Sequence, residues 1–113
     1  MQRRLVLGVG AMLLKTMGPK EREIMAFLHE RIFDPILNSG TASTKLKQGV
    51  RYTIMRLGER DASGMIQYYW SAIVGTERSV GFAALMRQEG FGRFEEAIDE
   101  FRLLFNDDFL RSP

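Results

Sequence analysis

Apolar residues recur at spacings of three and four along nearly the whole chain, and no segment sustains the alternation of a strand. Phe94, Ala97, Ile98, Phe101, Leu104 and Phe105 fall on one face of a helix. Glu95, Glu96, Asp99 and Glu100 fall on the other. Four further segments read the same way. Gln2–Met17 is closed by Gly18-Pro19. The next starts at Pro19, carries Ile24, Met25, Leu28 and Ile32, and is ended or kinked by Pro35, with a short turn over Pro35–Asn38. A third, capped from Thr41-Ala42-Ser43-Thr44, runs to about Gly58 with Leu46, Val50, Ile54 and Leu57 inward. A fourth follows Asp61 and Ser63 with Met65, Ile66, Tyr69, Trp70, Ile73 and Val74. Gly75 interrupts it and Thr76 caps a continuation, Glu77–Gln88. Glu89-Gly90-Phe91-Gly92 is a turn, and Asn106 with Asp107-Asp108 ends the last helix. The expectation is an all-α fold: one compact helical bundle of five to six helices spanning residues 1–113.

At 113 residues the chain is long enough for a single hydrophobic core. It has no cysteine, which removes disulfides, thiol catalysis and thiolate metal sites and fits a cytoplasmic setting. Gln2-Arg3-Arg4 before the apolar run Leu5–Leu14 superficially copies a secretion signal. Lys15 closes that run, no small-x-small cleavage site follows, and it is too short to span a bilayer. The expectation is a buried helix and no membrane partner.

Charge divides the chain. Residues 1–60 hold eleven Lys and Arg against five Asp and Glu; residues 61–113 hold five against nine. The basic excess peaks on the third helix and just beyond it, at Lys45, Lys47, Arg51, Arg56 and Arg60, with only Glu59 opposing. On a helical wheel these cations flank the apolar stripe on both sides, so the water-facing side is basic across nearly its full width. Such a face suits a polyanion, most often nucleic acid, and equally serves as a solvated surface. Guanidinium and ammonium groups would meet phosphates, the helix N-terminus would add partial positive charge, and Gln48 and Tyr52 could contribute a hydrogen bond or a stacking surface.

Other constellations carry less chemistry. Tyr68-Tyr69-Trp70 points in three directions, with Tyr69 and Trp70 expected in the core. His29 is the lone histidine and cannot build a zinc site. Carboxylates one turn apart, such as Glu30 with Asp34, are common on helix faces, and a catalytic pair would need burial. Gly8-Val9-Gly10 lacks the rest of a dinucleotide fingerprint. No enzyme, cofactor or metal is expected. The acidic last helix is read as a solvated face, or as a docking face for a basic neighbour such as a second copy of the chain.

Gly64-Met65-Ile66-Gln67-Tyr68-Tyr69-Trp70 through Glu89-Gly90-Phe91, then Arg93-Phe94-Glu95-Glu96, resembles the C-terminal helical region of the type I-D CRISPR Cascade large subunit. In that system this region can also be made separately, as the small subunit, by internal initiation. The resemblance extends over most of the chain in general character and rests on no invariant motif. It implies a non-enzymatic accessory subunit of a ribonucleoprotein, with DNA or guide RNA backbone and other effector subunits as partners, and further copies of itself beside it. Its basic face would hold target or displaced DNA as the R-loop forms. Onto this sequence that role maps only to Lys45, Lys47, Arg51, Arg56 and Arg60. Two readings compete with it: a helical protein-interaction adaptor with no nucleic-acid role, and a small enzyme or ligand-binding regulator whose pocket would include His29.

Overall fold

A computed structural model of the chain describes residues 17–75 and 81–113. The expected first helix therefore lies outside the described residues, apart from Met17, which is buried in the core. Every regular element described is helical: α1 (Pro19–Leu28), α2 (Asp34–Leu37), α3 (Thr44–Gly58), α4 (Ala62–Tyr68), α5 (Ala83–Gln88), α6 (Phe94–Leu104) and α7 (Asp107–Arg111). Two wider, π-helical segments, His29–Phe33 and Tyr69–Val74, continue α1 and α4. The all-α bundle is what the periodicity dictates.

Pro35 does not stop the helix. The π-helical segment leads straight into α2, with the Asp34 N–H bonded back to the His29 carbonyl. A proline inside an ordinary α-helix faces the carbonyl four residues back with a ring and no donor. The widened segment lies over that carbonyl, at Arg31, and the chain stays helical to Leu37.

α3 is capped by Ser43, whose hydroxyl accepts from the Leu46 N–H at 3.0 Å. Leu46, Val50 and Leu57 are fully buried, as the spacing requires. The remaining core position belongs to Thr53, not Ile54, which is only half-buried. Thr53 tolerates burial because its hydroxyl donates to the Gly49 carbonyl at 2.8 Å. α4 is capped by Asp61, which accepts from Gly64 N–H at 2.8 Å.

After the second π-helical segment the chain leaves the helix at Gly75, with φ 97°, a conformation that strongly favours glycine. Gly81 and Phe82 are not helical and the next described helix starts at Ala83; the expected cap at Thr76 and start at Glu77 lie outside the described residues. At Gly81 a Cβ would collide with the Ile73 carbonyl oxygen, so the backbones meet there only because no side chain intervenes. α5 closes with Gly90 at φ 92°. Phe91 N–H bonds to the Met86 carbonyl at 2.9 Å and Gly90 N–H to that of Arg87 at 3.0 Å, the Schellman pattern.

The core joins α1, α3, α4 and α6 through Leu28, Phe33, Leu46, Met65, Tyr69 and Phe101. Tyr69 stacks on Phe101 with ring centroids 3.8 Å apart. On α6, Phe94, Ala97, Ile98 and Phe101 are buried and Phe105 is buried just past its end, but Leu104 is half in water. α6 stops at Leu104 just before Asn106, whose amide donates to the Leu103 carbonyl at 3.0 Å. The chain does not stay non-helical: the Asn106 side-chain oxygen accepts from Phe109 N–H and opens α7.

Candidate nucleic-acid interface

The five basic positions divide once they are placed. Lys45 and Arg51 are exposed and Lys47 is half-buried. Arg56 is tied to Glu59, Nη1 to Oε1 at 2.9 Å. Arg60 lies beyond the end of α3 and lays its guanidinium over the Tyr68 ring, 4.7 Å from the centroid. The helix alone thus presents four of the five, and one of those four is paired.

The rest of the molecule makes the remainder stand out. Arg31 pairs with Glu100, Arg87 with Glu95, Arg93 with Glu96, Arg102 with Asp99 and Arg111 with Asp108. Lys20 donates to the carbonyls of Leu110 and Ser112, and Arg22 to that of Met17. Among the described residues, only Lys45, Lys47 and Arg51 are lysines or arginines with no hydrogen bond, ion pair or ring contact. All three stand on the first half of α3. That half contains no Asp or Glu, and cations in a first helical turn oppose the helix dipole.

The N-terminus of α3 is already occupied. Glu89, from the end of α5, accepts from the Ser43 N–H at 2.7 Å and from the Ser43 hydroxyl with its other oxygen. These hydrogen bonds hold its carboxyl below the usual range, helped by nearby Lys45. The expected contribution of the helix N-terminus to phosphate binding is therefore not available at Ser43; the ridge must act through its side chains.

Of the two aromatics expected in the core, Tyr69 is there and Trp70 only packs against it. Tyr69 is fully buried, and burial pushes its phenol up. Trp70 is half-buried with the Arg102 guanidinium 4.9 Å from its ring. Tyr68 is half-buried and its phenol is raised mainly by burial. Tyr52 is 56% exposed and Met55, one turn on, 54%. Met55 was not singled out from the sequence, although its place on the water-facing arc is legible on a wheel. Glu89 had no local signal, being 46 residues from the serine it binds.

The acidic face of α6 is neutralised from within, since Glu95, Glu96, Asp99 and Glu100 each have an arginine of the same chain beside them. Its use as a docking face for a basic neighbour loses its electrostatic basis. An open groove of about 370 Å³ runs between the π-helical segment and the α5–α6 turn, over Ile36, Met86, Phe91 and Phe94. His29 and Asp34, whose side chains meet at 3.0 Å, do not line it. Among the described residues no group of three or more His, Asp or Glu is placed to hold a metal. None of their helices is long and apolar enough to cross a membrane.

Compared with protein-family models, curated proteins and solved structures, the chain matches none.

Proposed function

We propose that this chain is a non-enzymatic subunit that binds nucleic-acid backbone through α3, as an accessory part of a larger ribonucleoprotein similar in role to a Cascade small subunit. One observation carries the reading: Lys45, Lys47 and Arg51 lack hydrogen-bond and ion-pair partners on the half of α3 that holds no carboxylate, while the other described cations are engaged. Cations with no ion pair, Lys45 on one flank of the helix beside Glu89 and Lys47 with Arg51 on the other, can replace the counterions of a phosphate chain. Contacts of this kind position a strand without reading its sequence, which suits an accessory subunit beside partners that do the reading.

The test is a salt titration of oligonucleotide binding with the wild-type chain and with K45A/K47A/R51A. Each phosphate contact contributes roughly 0.7 to 0.9 to the slope of log affinity against log salt. The triple variant should flatten the slope by about 2 and weaken binding alike for unrelated sequences. An unchanged slope rejects this face. No affinity in the wild type at moderate salt rejects the reading and leaves the protein-interaction adaptor in its place.

A further inference from the structure

We propose that Tyr52 is a base-stacking platform set between Lys45 and Arg56 on α3, so that the nucleic acid taken by this face is a strand with unpaired bases. This rests on the backbone-binding reading and names its substrate class.

The observation is one of exclusion. The chain has eight phenylalanines, three tyrosines and one tryptophan, all among the described residues. Eleven of these rings are buried or half-buried, and Tyr52 alone is exposed. A fold that finds cover for its other rings leaves this one in water on the basic helix. Among the described residues no ring packs on it and no guanidinium covers it, although the Tyr68 phenol lies within electrostatic reach. Tyr68 makes the contrast, its ring covered by the Arg60 guanidinium.

Position supports the assignment. On a helix of 3.6 residues per turn, Lys45 stands about 20° from Tyr52 and Arg56 about 40° on the same side. Gln48 and Met55 flank the ring on the other side, with Arg51 about 100° and Lys47 about 140° around the helix from it. Lys45 precedes the ring by about 10 Å of helix axis and Arg56 follows it by about 6 Å. A phosphate chain drawn along the ridge by its cations would bring its bases across the Tyr52 ring. Every base has a π face, so such stacking adds affinity without demanding a sequence. In a duplex those faces are already stacked on their neighbours. The Met55 thioether extends the apolar platform, and the Gln48 amide can both donate to and accept from a base edge.

The experiment compares the full chain and its Tyr52→Ala, Tyr52→Phe and Tyr52→Trp variants in binding labelled single strands of equal length, one of thymidines and one of abasic sites. A third strand carries 2-aminopurine, whose fluorescence is quenched on stacking. The wild type should prefer the base-bearing strand by roughly 5- to 100-fold and quench the probe. Tyr52→Ala should bring that ratio near one and abolish the quenching, while Phe and Trp should keep both. A wild-type ratio near one, or a ratio and quenching unmoved in Tyr52→Ala, overturns the stacking role. With both strands still bound and lost together in K45A/K47A/R51A, the backbone-binding reading survives that failure. If neither strand binds the wild type, both proposals fall.

Discussion

Glu89 closes the N-terminus of the basic helix by accepting from both the backbone N–H and the hydroxyl of Ser43, across 46 residues of chain. A carboxylate there offsets the positive end of the α3 dipole, which Lys45 and Lys47 otherwise burden further.

A carboxyl held below its ordinary value stabilises the fold when ionised, and that contribution is lost as pH falls through the folded-state value. Glu89→Gln should therefore lower Tm at pH 7. The gap between variant and wild type should narrow progressively below about pH 4.3, where the unfolded carboxyl protonates. Thermal melts from pH 7 to pH 3 measure it; a gap independent of pH would show that the charge is irrelevant.

Two glycines predict opposite outcomes from the same substitution. At Gly81 a methyl would collide with the Ile73 carbonyl and stand 2.7 Å from the Gly75 nitrogen, so Gly81→Ala should destabilise by about 1–3 kcal/mol. Gly49 lies inside α3 with nothing within 4 Å of where a methyl would stand, and should gain about 0.5–1 kcal/mol as alanine. Urea denaturation of the two single variants decides both, and a stable Gly81→Ala would deny the close backbone approach.

Tyr69 carries a fully buried hydroxyl with no partner among the described residues, while its ring stacks on Phe101. Tyr69→Phe should be neutral or stabilising by up to about 1 kcal/mol, because the cost of the unsatisfied hydroxyl disappears. Phe101→Ala should cost about 3–5 kcal/mol, since it empties the centre of the aromatic cluster. Equal losses in the two variants would mean that the hydroxyl is bonded in solution.

The cations of α3 should not behave alike. Arg51→Ala should weaken oligonucleotide binding more than Arg56→Ala, because Arg56 already spends its charge on Glu59. Arg60→Ala should act chiefly on stability, by about 0.5–1 kcal/mol, through the lost contact with Tyr68. Parallel melts and binding isotherms separate these roles. Equal losses of affinity at all three positions would restore a uniform ridge.

Helices α3 and α6 and most of their buried faces are legible in the order of residues alone, because three-and-four spacing of apolar side chains admits one economical way to leave water. Ser43 and Asp61 are equally legible as caps, since their bonds run to backbone three residues on. Which charges remain free is a matter of packing. Arg31 meets Glu100 across 69 residues and Ser43 meets Glu89 across 46, and such partners are chosen by how the helices assemble, which no local pattern records. The same holds for Pro35, where a widened helix absorbs a residue that normally breaks one. It holds also for Thr53 and Ile54, where a one-position rotation of the inward face is settled by what packs against it. Periodicity tells which side of a helix seeks cover; neighbours brought from afar decide what stays uncovered.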